Sequence, residues 1–146
     1  TVGTGKGGNL NINASDSVQV IGTSANSTFI AIATGTTGKG DAGDLSITTK
    51  RLLVQNGAGI TAGSQGEGDA GDLNIKTGQL LVRDRAVIST TTNGEGQGGN
   101  LSINASDSVS LDRGFVFSGV LYQLEKYLLQ IRSPQPPLLR GARGDR

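Results

Sequence analysis

The chain has 146 residues, enough for one domain, but only 34% are hydrophobic and none is Trp, Met or Cys, so the core must be thin and built from Leu, Ile, Val and Ala. The absence of cysteine and histidine excludes disulfide staples, thiolate metal sites and the commonest metal ligand and general base. The net charge of +1 divides into eight Lys and Arg against ten Asp and Glu over residues 1–119, and five against two over 120–146; with no clustered basic face to neutralise phosphates, nucleic acid is not an expected partner.

A glycine pattern, Gly-x-Gly-x-x-Gly followed by Asn or Asp and then Leu, opens the chain at Gly3 and returns at Gly38, Gly66 and Gly94. Its leucines, Leu10, Leu45, Leu73 and Leu101, are spaced by 35, 28 and 28 residues, and a period of this size marks a repeat architecture. Each Leu is followed two places on by Ile (Ile12, Ile47, Ile75, Ile103) across a polar residue, the alternation of a half-buried strand.

A second strand follows in each copy: Val18 and Val20, Leu52 and Val54, Leu80 and Val82, Val109 and Leu111. The two outer copies hold one extra residue before it. A third alternating run, Ala58, Ile60 and Ala62, recurs as Ala86, Ile88 and Thr90, so three strands and three bends are expected per period. Bends are placed at Asn56-Gly57, at Asp84-Arg85 and at every glycine-rich start, where residues that tolerate positive φ collect. The seven extra residues of the first interval are expected to bulge outward around Thr23 to Thr28.

Such units cannot bury their inner faces singly, but stacked in register they close a continuous apolar column. The expected fold is therefore all-β, a right-handed parallel β-helix of about four coils over residues 1–119. Equivalent side chains would stack as ladders at ~4.8 Å per coil, Leu10, Leu45, Leu73 and Leu101 among them. A helical fold conflicts with the glycine content, since each interior Gly costs about 1 kcal/mol relative to Ala. A flexible linker has no reason to keep Leu-x-Ile in phase over four copies.

From about Gly119 the repeat stops. Val120, Leu121, Leu124, Tyr127, Leu128 and Ile131 fall at helical spacing, so residues 120–132 are expected as a short amphipathic helix capping the column. Residues 133–146, with all three prolines and a basic composition, are expected to be disordered. The abrupt loss of phase suggests a frame change or premature end in a longer gene. No stretch reaches the roughly 18 apolar residues of a membrane span, and the opening Thr1-Val2-Gly3-Thr4 is not a signal sequence, so the export signal of a secreted parent is expected elsewhere.

The segments Gly-Gly-Asn-Leu-Asn-Ile-Asn-Ala-Ser-Asp-Ser-Val (7–18) and Gly-Asp-Leu-Ser-Ile-Thr-Thr-Lys-Arg-Leu-Leu-Val-Gln-Asn-Gly-Ala (43–58) carry a family resemblance. Over about residues 1–114 the chain resembles the repeat region of filamentous haemagglutinin-like proteins, especially the large cyanobacterial ones exported by two-partner secretion. The resemblance implies a right-handed β-helix shaft carried outside the cell by an outer-membrane transporter, with roles in adhesion to a surface receptor or polysaccharide. The family's amino-terminal secretion domain is not in this sequence, which begins inside a repeat, so a fragment or a decayed gene product is expected.

No catalytic, cofactor-binding or metal-binding residue is assigned. The glycine pattern matches a dinucleotide fingerprint, but that fingerprint needs a helix after it and an acidic residue about 20 places on, whereas Leu-x-Ile follows here as strand. Gly40-Asp41-Ala42-Gly43-Asp44-Leu45 and Gly68-Asp69-Ala70-Gly71-Asp72-Leu73 are similar to a calcium-binding nonapeptide, yet lie 28 residues apart rather than in tandem. Stacking would bring Asp41 near Asp69 and Asp44 near Asp72; hydrated turn aspartates are the expected reading, with opportunistic calcium as its rival. The same carboxylates are the only candidates for acid–base work in a carbohydrate-active β-helix enzyme, and they sit in repeated turns rather than a groove.

Asn9 and Asn100 are expected to cap their turns, with Asp44 and Asp72 leaving an internal amide ladder incomplete. Asn13-Ala14-Ser15, Asn26-Ser27-Thr28, Asn100-Leu101-Ser102 and Asn104-Ala105-Ser106 match the glycosylation pattern, and Arg143-Gly144-Asp145 spells an integrin tripeptide; composition alone accounts for each. Binding is expected on the flat outer strand faces or in the bulge near Thr23 to Phe29. A structural or adhesive shaft comes first, a carbohydrate-active enzyme second, a non-functional remnant third.

Overall fold

The computed structural model describes residues 1–23 and 29–120. The tail expected at 133–146 and most of the bulge after Thr23 lie outside them, as does the capping helix expected at 120–132 except for Val120, which ends a strand rather than opening a helix. Nine strands are described: β1 Leu10–Asn13, β2 Ser17–Ile21, β3 Ala31–Thr36, β4 Leu45–Gln55, β5 Gly59–Ser64, β6 Leu73–Arg83, β7 Val87–Thr92, β8 Leu101–Asp112 and β9 Phe115–Val120. Every pairing between them is parallel. One sheet runs β1/β2, β4, β6, β8 and the other β3, β5, β7, β9. Four rungs per sheet make a parallel β-solenoid of about three turns.

The expected ladders are in register: Leu10 on Leu45 on Leu73 on Leu101, and Ile12 on Ile47 on Ile75 on Ile103. Leu45 is 0% exposed and Leu73 1%, so the rungs seal one another from water as the period requires. The second sheet stacks Ile32, Ile60, Ile88 and Val116 in the same way. Its first and last strands, β3 and β9, are additions to the sequence expectation, which found the third run only in the two inner coils.

Two strands per inner coil replace the expected three. Leu45 to Val54 and Leu73 to Val82 each lie in one continuous strand, because the bend between the runs lies inside the strand. The inward positions 45, 47 and 49 give way to 52 and 54, with Lys50 and Arg51 both exposed. The buried hydroxyl beside each bend is satisfied locally: Thr77 Oγ1 donates to the Gln79 carbonyl at 3.0 Å. The extra residue of the outer copies is absorbed here, as a register shift between Thr77 and Gln79 opposite β8, and as the gap between β1 and β2.

The tight corners do adopt positive φ, at Asn56 (57°) with Gly57 (73°), at Asp84 (53°) with Arg85 (65°), and at Arg113 (58°). The glycine-rich corners do not use it, except at Gly3. Their glycines are needed for a different reason. Ladder bonds continue through these corners, with Ala42 N donating to Asp69 O and Ala70 N to Gln97 O, both at 2.8 Å. The coils therefore approach so closely that a Cβ on Gly38, Gly66 or Gly94 would overlap the carbonyl oxygen of Gly3, Gly38 or Gly66 respectively. Inside, Thr34 and Thr36 donate to the carbonyls of Gly43 and Gly40, both at 2.6 Å, so the polar corners also bond inward.

Candidate functional site

Four aspartates project from the glycine-rich corners of the two inner coils. The structure brings Asp41 and Asp69 to adjacent levels, and likewise Asp44 and Asp72, as stacking requires. They do not face each other as bare carboxylates. Asp41 Oδ1 accepts the backbone N–H of Asp69 at 3.1 Å, and Asp69 Oδ1 accepts that of Gln97 at 2.7 Å. A second series runs beside it: Asn9 Oδ1 accepts the N–H of Asp44 at 2.9 Å, Asp44 Oδ1 that of Asp72 at 3.0 Å, and Asp72 Oδ1 that of Asn100 at 2.8 Å.

The expected gap in the amide ladder is thus corrected. What the ladder needs is an acceptor oxygen aimed at the next coil's N–H, and a carboxylate supplies it as well as a carboxamide does. The Asp69 amide, with the Lys6 ammonium 3.3 Å away, holds the Asp41 carboxyl below its ordinary range. A general acid working near neutral pH needs the opposite displacement. Among the described residues, no group of three or more His, Cys, Asp and Glu converges as a cation site would require.

Charge is distributed from coil to coil in the same fashion. Lys39 pairs with Glu67 at 2.7 Å and Arg51 with Asp16 at 2.8 Å. At the tight corner, Arg113 pairs with Asp84, and Arg83 Nε donates to Gln55 Oε1 of the coil before at 2.7 Å. All of these ion pairs are exposed, so their contribution to stability is small and salt-dependent.

The outer faces are not flat. On the first sheet, outward-facing Gln19, Leu53, Leu81 and Ser110 stand one above another beside Arg51 and Gln79, and together they line a shallow trough. Its floor is apolar at the two inner levels and polar at both ends. On the second sheet a smaller trough follows Gly35 and Gly63, with Thr61, Thr91, Gln65 and Asn93 around it. Missing side chains at Gly35 and Gly63 create that depression, so its cue in the sequence is a pair of outward glycines 28 residues apart, at a place where the next coil has Thr91. Phe29 lies with its ring over Gly59, closing the start of the same face.

The glycosylation pattern at Asn26 and the tripeptide at Arg143 fall outside the described residues. Asn13, Asn100 and Asn104 are exposed on terminal rungs. No helix among the described residues is long and apolar enough to cross a membrane. No protein-family model, curated protein or solved structure matches the chain.

Proposed function

We propose that these residues form a shaft segment of a large secreted or cell-surface protein of the filamentous haemagglutinin-like kind, spacing and presenting an adhesive region rather than performing catalysis. The observation that carries this reading is the commitment of the corner aspartates. Each spends an oxygen on the backbone of the next coil, and the Asp41 carboxyl is held in its charged form. The chemistry of the turns is used to hold the stack together.

Variation that leaves the ladders intact is confined to the outer faces, so contact with a receptor or polysaccharide belongs in the two troughs. Antibodies raised against the chain test display directly. Labelling of intact producing cells is the expected result, and labelling only after lysis overturns the proposal. Release of product from pectin or a related polymer by the purified chain would replace the shaft with an enzyme.

A further inference from the structure

The chain holds two Asn-Gly pairs, Asn56-Gly57 and Asn93-Gly94. Such a pair is chemically labile, because a glycine without a side chain lets its own nitrogen approach the asparagine carboxamide. Both asparagines are exposed, so water reaches both. What separates them is how each glycine nitrogen is held.

Gly57 N donates to the Asp84 carbonyl of the next coil at 2.9 Å, a bond of the ladder between coils. The same peptide unit is pressed from the preceding coil, since a Cβ on Gly22 would overlap the Asn56 carbonyl oxygen. Turning this nitrogen towards its own side chain means parting two coils. At the other pair the ladder bond runs through Asn93 N, to the Ser64 carbonyl at 2.9 Å. Gly94 N donates instead to the Thr92 hydroxyl, two residues back in its own coil, at 3.2 Å. The preceding coil repeats this arrangement with Gly66 N on Ser64 Oγ at 3.3 Å, and there Gln65, the counterpart of Asn93, is exposed between Thr37 and Asn93. Exposure and a local bond therefore belong to this place in the repeat, not to the end of the stack.

We propose that Asn93 is a site of spontaneous deamidation, while the fold protects Asn56. Gly94 N attacks the Asn93 carboxamide carbon; a C–N bond forms, and the amide nitrogen leaves as ammonia with the proton that Gly94 N gives up. The resulting succinimide takes up one water and opens at either carbonyl, to aspartate or isoaspartate. Either product sets a new carboxylate beside the trough at Gly63, which Asn93 lines. Isoaspartate also lengthens the main chain by one carbon where Gly94 lies against the Gly66 carbonyl, so it loosens that corner.

The full chain is incubated near neutral pH, folded and in guanidinium chloride, and peptide mapping by mass spectrometry follows amide-to-acid conversion at both asparagines. In the folded chain Asn93 should convert several-fold faster than Asn56, and in denaturant the two rates should draw together. Asn93→Gln, which installs the residue found at Gln65, should abolish the fast conversion and leave the slow one at Asn56 unchanged, with circular dichroism confirming the β signal. Equal rates in the folded chain, or faster conversion at Asn56, overturn the proposal. So does a preference for Asn93 that persists undiminished in denaturant, because it would then come from neighbouring residues rather than from the fold.

Discussion

Equivalent residues behave differently in the inner coils and at the ends of the stack. Leu52 and Leu80 are buried at the level where Val18 is half-buried and Val109 is exposed, although all four stand in one ladder. Burial here belongs to having a neighbour on both sides rather than to the residue or its own strand. A solenoid is therefore strongest in its middle and should loosen from its ends.

Substitutions at matched positions break or sharpen this comparison. Ile75→Ala, between two complete neighbours, should cost about 2–5 kcal/mol by urea unfolding. Leu111→Ala, measured where the chain is monomeric, should cost about 0.5 kcal/mol. Equal losses would mean that the last rung is covered in solution. At the corners, Gly71→Ala places a Cβ against the Gly43 carbonyl and should cost about 1–3 kcal/mol by the same measurement. Gly8 occupies the same place in the repeat with nothing within 4 Å, so Gly8→Ala should be neutral or slightly stabilising.

Arg85 holds a positive φ where the preceding coil has Gly57. Its replacement by Gly should raise stability by up to about 1 kcal/mol, whereas Gly57→Ala should lower it by a similar amount. The smallest effect is electrostatic. The carboxyl of Asp41 titrates lower in the folded chain than in the unfolded one, so its contribution is complete above the ordinary carboxylate range near pH 4 and is lost as pH falls through the depressed folded value. Lys39, raised by Glu67, behaves inversely, losing its contribution as pH climbs through a value above 10.5. Melting temperatures across pH should show a shallower acid fall for Asp41→Asn than for the parent.

The strand ladders were legible because their cue, an aliphatic residue at every second place in a 28-residue phase, is local and repeated. The extra residue before Val18 and Val109 was visible too, but its outcome as a register shift in one rung and a break in the other depends on the neighbour opposite. The continuous strands β4 and β6 were missed because Lys50-Arg51 and Gly78-Gln79 interrupt the alternation, and interrupted alternation reads as a turn. At the glycine corners, positive φ was the wrong reason for the right residue, since close approach by another coil leaves no trace in a single repeat. Strands β3 and β9 escaped notice because Ile30 and Gly114 stand where the inner coils have Ala58 and Ala86, and because outward Phe115 and Phe117 hide the alternation of β9. Of the candidate surface, the outward Leu53 and Leu81 were present in the sequence, but their alignment beside Arg51 and Gln79 into one trough required the register.

The corner bonds also give the stack a direction. In each of the five side-chain bonds described, the accepting oxygen belongs to the earlier coil and the donating amide to the later one. A finished turn thus already holds the acceptors that its successor's amides will fill. A polypeptide fed out amino-terminus first would build on a prepared mould at every turn, and only the opening turn would have to form unaided.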